Sequence, residues 1–478
     1  MAEPATLDPA KQGDIDSARA TAQIFESLTA FDESLVLRPA LASSWDLSAD
    51  GRRVVFHLRP GLAFSDGTPI TAADVVRSWR RLIDPAHPAP LVTLLLDVQG
   101  VLPFLGGQLI DPDQVGIHAD GSDVVVDLDR PGADFPVIVA SPTFAVVPPF
   151  DCATPVLGQC GVASGGYVVK SVSDEELTLK ANPRYWAGPP AISTLHLLID
   201  LGGRSPVEIF EDGKVDWTPI APNDATWVQY DTKLGPALRE IPSLSVAYVG
   251  FDTARPPFDD VRVRRAVAMA VGWQRIAGLS NYGDLPAISM VPPGIPGRSD
   301  QPSAPAYDPA SARQLLAEAG YPGGAGFPTV VLGGGAFDEA IEADLERELG
   351  VTVRREHHKD YYKRLAIDPP ALWVLSWIAD YPGQNDFLGV VLGTGSPSNY
   401  GRWSSTEFDA AITAAQSTRD PAEASRAFDQ ALAVLVAEVP TVPLAYSGPG
   451  WALSRRGLLG AGVNALGIPR FAGLAWAP

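Results

Sequence analysis

The run Leu372-Trp373-Val374-Leu375-Ser376-Trp377-Ile378 constrains this chain more than any other stretch. It holds a single hydroxyl among large and β-branched side chains, which suit a pleated and buried surface, so it predicts a strand inside a sheet. Asp380 follows two residues later, directly ahead of the turn signal Tyr381-Pro382-Gly383. A carboxylate is thereby expected where a burial-prone element meets a loop, a place where a fixed charge can meet a ligand. The local alternative is an ordinary turn residue whose side chain hydrogen-bonds the backbone two residues on.

The segments before this run read as mixed α/β structure. Thr6-Leu7-Asp8-Pro9, Ile24 to Thr29, Leu41 to Trp45 and Ser48-Ala49-Asp50-Gly51 lead into Val54 to Arg59. They predict a helix, a polar link, a hairpin turned at Asp50-Gly51 and a strand. Thr71 is expected to cap a helix from Ala72 to Leu82, with Asp74 in its first turn offsetting the helix dipole. Leu177 with Leu179, and Leu195 with Leu197 and Ile199, alternate as half-buried strands, and Tyr185 and Trp186 are assigned to the core.

A second half is expected from Tyr248 onward. Asp259 and Asp260 cap a helix beginning near Val261; Asp308-Pro309 opens another that Gly320 ends; a third runs from Phe337 to Leu349 and stops at Gly350. Val351 to Val353 is then a strand, giving the β-α-β alternation of an α/β lobe. A helix around Phe408 to Ile412, a long helix from Ala422 to Glu438 closed by Pro440, and a strand from Val442 to Tyr446 complete this part.

Several tempting sites fail on spacing. Gly333-Gly334-Gly335 lacks both the G-x-G-x-x-G order and a G-K-[ST] ending. His357 and His358 are adjacent, so on a strand they point to opposite faces, which suits a solvated strand end better than a metal. Arg262, Arg264 and Arg265 could form an anion clamp, but arginines behind an acidic cap more often form a solvated helix face. With neither H-E-x-x-H nor G-x-S-x-G in the chain, no catalytic residue, metal or cofactor is expected.

Composition narrows the partners. A net charge of −20 repels phosphate backbones and anionic headgroups, and no basic run interleaved with aromatics offsets it, so nucleic acid and membrane surfaces are poor candidates as partners. The two cysteines, Cys152 and Cys160, lie in one loop-like segment without a nearby histidine, which predicts a disulfide and hence an oxidising compartment. No apolar run of about 18 residues occurs. Met1-Ala2-Glu3 opens no charged-then-apolar leader, so an export signal is expected to have been removed.

The order of these motifs resembles family 5 of the solute-binding proteins of ABC importers, the oligopeptide- and dipeptide-binding family. The resemblance is carried by Leu7-Asp8-Pro9, Leu41-Ala42 with Trp45, Phe64-Ser65-Asp66-Gly67-Thr68-Pro69, Asn182-Pro183 with Tyr185-Trp186, Pro257-Phe258-Asp259-Asp260-Val261-Arg262, and above all Trp377 with Ala379-Asp380-Tyr381. It implies a periplasmic-binding-protein-like α/β fold, two lobes joined by a hinge, with an additional N-terminal lobe. Lobe I is expected over about residues 1–43, 160–247 and 444–478, lobe II over about 44–159 and lobe III over about 248–443.

The resemblance also implies a function. The chain would be an extracytoplasmic receptor, periplasmic or at the cell surface, anchored through a lipid-modified leader, acting as a monomer and serving a permease and its ATPase subunits. Asp380 would hold the ammonium of a bound peptide, with Ser376, Trp377 and Ile378 lining the cleft and Tyr248, Trp403 and Tyr446 as further walls. Two departures bear on the solute: Pro382-Gly383-Gln384-Asn385 follows where relatives carry an acid or asparagine and then proline, and Val374 stands where a tripeptide-binding relative has arginine. Oligosaccharides, nickel complexes and other small solutes remain alternatives, as does a secreted hydrolase built on Asp259 and Asp260.

Overall fold

The structure is a computed structural model that describes residues 3–149, 161–280, 283–335 and 337–478. Cys152 and Cys160 lie outside the described residues. No described helix is long and apolar enough to cross a membrane.

Local sequence rules account for much of the first part of the chain. Strands Ala42–Leu47 and Arg53–Leu58 pair antiparallel about the turn at Asp50-Gly51, where Gly51 adopts a φ of +69° that favours glycine. The helix Ala72–Arg80 begins at Thr71, whose backbone N–H donates to Asp74 Oδ2 at 2.9 Å. Its apolar stripe of Val75, Val76 and Trp79 is buried, and Trp79 meets Phe56 and Phe144 edge to face.

The chain divides into two compact units, residues 1–242 with 450–478, and residues 243–449. Unit 1 holds a four-stranded sheet formed from residues 42–127, a three-stranded sheet from residues 167–198, and a second three-stranded sheet in which Gly450–Ser454 lies between Trp217–Ile220 and Leu238–Ile241. The boundaries expected at 248 and 443 each cut a strand. Ser245–Phe251 and Thr441–Tyr446 pair with each other inside unit 2, so the chain enters that unit at 243 and leaves it after 449. Residue 44 likewise falls within the strand Ala42–Leu47, and the described residues 44–149 belong to unit 1.

Unit 2 is organised on a six-stranded sheet. Its strands are β1 (Ser245–Phe251), β2 (Leu285–Pro286), β3 (Val330–Gly333), β4 (Val353–Glu356), β5 (Leu372–Ile378) and β6 (Thr441–Tyr446), in the order β2-β6-β1-β5-β3-β4. β3 runs parallel to β4 and β5, while β1 is antiparallel to β5 and β6. One face, carrying Ala247, Val249, Phe251, Leu332 and Leu372, packs on the helices Val261–Ala270, Pro309–Glu318 and Asp338–Leu349 through Val267, Leu316 and Leu345. Because side chains alternate along a strand, Tyr248, Trp373 and Trp377 turn to the other face. There Trp373 meets Tyr248 and Tyr400 edge to face, with centroids 5.5 and 6.1 Å apart.

The caps fall where the sequence places them. Asp260 accepts from Arg262 N–H, Asp308 accepts from Ser311 N–H, and Gly350 ends its helix at a φ of +67°. The strand expected at 351–353 instead occupies Val353–Glu356. Its arginines break the apolar pattern; Arg355 pairs with Glu339 and Glu342 on the preceding helix. The anion clamp does not form, because the three arginines are spent on carbonyls and an acid. Buried Arg264 donates to the carbonyls of Phe258, Glu438 and Val439, Arg265 to that of Val436, and Arg262 to Asp260 and the carbonyl of Glu318. His357 and His358 face Asp338 and Glu356, and no metal-sized cluster of ligating side chains occurs among the described residues.

Candidate functional site

β5 is paired unequally on its two sides. Along β1 it is matched for its full length, from Leu372 opposite Phe251 to Ile378 opposite Ser245. On the other side β3 accompanies it only at Leu372 and Trp373, because β3 ends at Gly333. A Cβ on the next residue, Gly334, would stand 2.9 Å from Val374 Cβ, so only a glycine lets the chain pass here. The Tyr361 hydroxyl then donates to the Val374 carbonyl at 2.9 Å. From Leu375 to Ile378 no strand lies on that side among the described residues.

An unpaired strand edge is a template for another extended chain, and proteins usually blunt such edges with lysine, proline or a bulge. This edge has none of these. Ser376 is exposed, and Ile378, an apolar side chain, is 72% exposed. Trp377 between them points to the opposite face and is half-buried.

Asp380 stands at the end of this edge. Burial alone pushes its half-buried carboxyl up to about 6, since no donor or cation lowers it. Among the described residues no arginine, lysine or histidine pairs with it, and no backbone N–H bonds its carboxylate as a turn aspartate would require. What is bonded is its backbone, whose N–H donates to Asp386 Oδ2 at 3.1 Å. The same oxygen accepts the Trp377 indole N–H at 3.1 Å. Asp386 is fully buried in the short helix Gln384–Phe387, which the turn after Asp380 feeds.

The other predicted wall residues are packed inside unit 2. Tyr248 is fully buried against Trp373, and burial raises its phenol far above the usual range. Trp403 packs on Phe408 at 5.0 Å and donates its indole N–H to Glu438 Oε2. The Tyr446 hydroxyl accepts from Ser289 N–H and donates to the Ser289 carbonyl. The structure thus brings together Ser376, Trp377, Ile378 and Asp380, and leaves Tyr248, Trp403 and Tyr446 without an exposed face. Sequence reasoning passed over Asp386 and Tyr361. The signal for Asp386 was an acid directly ahead of Phe387-Leu388, a pair too apolar for a solvated turn.

Residues 36–399 match the family model described as bacterial extracellular solute-binding proteins, family 5 Middle. The chain is 30% identical over 475 residues to the probable deoxycholate-binding periplasmic protein YgiS of Escherichia coli, covering 93% of this chain and 86% of the relative. It is 29% identical over 484 residues to di/tripeptide-binding protein 2 of Pseudomonas aeruginosa, covering 93% and 88%. Among solved structures, HbpA2 from Haemophilus parasuis superposes with a TM-score of 0.82 at 23% identity, covering 100% of this chain and 98% of that one.

Proposed function

Because the chain belongs to family 5 of the bacterial extracellular solute-binding proteins, we propose that it is the solute receptor of an ABC importer and that its solute is a peptide gripped by its ammonium. One observation carries this reading: among the described residues, a strand edge left open from Leu375 to Ile378 ends at a carboxylate that no cation neutralises. An extended peptide added to that edge would satisfy the idle N–H and C=O groups by strand pairing. Its terminal ammonium would meet Asp380 in a charge-assisted hydrogen bond. Main-chain recognition of this kind reads length and terminus more than side-chain identity. Relatives named for di/tripeptides and for oligopeptides are consistent with this solute class.

In this reading the protein works outside the cytoplasm as a lipid-anchored monomer, delivers its solute to a permease driven by ATPase subunits, and converts nothing. Calorimetry with one short peptide in two forms, free and N-acetylated, tests it. The free form should bind at least about a hundredfold more tightly, as expected when a charged hydrogen bond is lost. Equal binding of the two, or co-purification of an uncharged solute, would overturn the reading. Mass spectrometry of incubated peptide should return it uncut.

A further inference from the structure

Asp386 is a costly residue for its position. Its side chain is fully buried beside Phe387 and Leu388, which are also fully buried, and a buried carboxylate is unfavourable unless donors surround it. Were packing the only demand, an apolar side chain would serve better there. Its Oδ2 instead gathers two N–H groups from the segment that forms the open edge, the Trp377 indole and the Asp380 backbone, each at 3.1 Å.

We propose that Asp386 is the positioning residue of the solute site. Pinning the Trp377 ring fixes the roll of the strand, and with it the direction in which the backbones of Ser376 and Ile378 face outward. Holding the Asp380 N–H fixes the backbone from which its carboxylate projects. Asp386 itself is covered and does not touch the solute; it sets the distance between the edge that pairs with a main chain and the charge that takes the ammonium. A site of this sort must be held to within about half an ångström to be effective. The inference rests on the peptide reading for its consequence, though not for its geometry.

The test is a double-mutant cycle on the full chain, with trialanine as the probe and circular dichroism as the check on folding. Asp386→Leu should weaken binding on the order of tenfold, whereas Asp386→Asn, which keeps an acceptor oxygen, should stay within about threefold of the parent. On an Asp380→Asn background, Asp386→Leu should cost clearly less, since the charge it positions is already gone and only the orientation of the edge is left to lose. A merely structural residue would lower affinity equally in both backgrounds, and that result, or no loss in either, would overturn the proposal. If the parent protein takes no peptide, the peptide reading fails and nuclear magnetic resonance of the ligand-free protein decides the positioning role. The Trp377 indole and Asp380 amide protons should move upfield in Asp386→Leu and hold in Asp386→Asn; unmoved resonances in both variants would overturn it.

Discussion

At the scale of single residues, Asp380 holds a charge that burial makes costly and that nothing among the described residues relieves. Such a group is better suited to a bound cation than to the empty protein. Replacing it by asparagine should therefore do two opposite things. Affinity for a free-amine solute should fall by roughly 3–5 kcal/mol, because the ammonium would be buried without a counter-charge; calorimetry measures this. The ligand-free protein, by contrast, should gain up to about 3 kcal/mol at pH 7 by chemical denaturation. The direction follows from linkage. A carboxyl whose folded value is raised favours the folded state below about pH 4 and loses that contribution as pH rises through about 6. The gain from Asp380→Asn should accordingly vanish near pH 4. Amine binding runs the other way, weakening by about tenfold for each pH unit below 6, as protonation removes the partner charge. The place of Asp380 just past a strand end was legible in the sequence, because a lone acid closing an apolar run marks where the strand meets a loop. Asp386 was not, because its partners are chosen by how a four-residue helix folds back, which no local period records.

At the scale of elements, the legible features were those decided within a few residues. The capping box at Thr71 and Asp74, the caps at Asp260 and Asp308, the glycine stop at Gly350 and the strand Leu372–Ile378 all stand where their own side chains dictate. Strand order was not legible, since placing β5 between antiparallel β1 and parallel β3 depends on partners more than thirty residues away. Nor was the fate of the aromatic residues: Tyr248 and Tyr446, read as cleft walls, alternate into covered faces once the register is set. Gly250 shows how closely that register is packed. It lies opposite Trp373, and a Cβ there would stand 2.0 Å from the indole Cζ2, with the ring held between Tyr248 and Tyr400. Gly250→Ala should thus destabilise unit 2 by about 2–3 kcal/mol, the cost of overpacking a closed core, read from the midpoint of urea unfolding. A neutral result would mean that the Trp373 ring has room to move.

At the scale of the whole molecule, unit 2 is an insertion into unit 1, and the point of insertion is small. Ile241 and Gly450, the last strand residues of unit 1 before and after it, are directly opposed in an antiparallel pair. Within unit 2, Val246 and Tyr446 are likewise opposed. The sequence hid these crossings because both fall beside continuous strand pattern, with no shift of composition to mark them. Opposed residues in an antiparallel pair are about 5 Å apart, a gap that a two-residue turn closes. Replacing residues 242–449 by Asn-Gly, whose positive φ preference suits such a turn, should leave unit 1 able to fold with its sheets intact. Residues 243–449 alone should fold as well, since their sheet is complete and the core between β1 and the three helices lies wholly inside the segment. Each product should unfold in a single cooperative transition, and the excised unit 2 should keep the hydrogen-bonded Trp377 indole proton that marks an intact Asp386 contact. Loss of cooperativity in either piece would mean that the two units are one folding entity despite their separate cores.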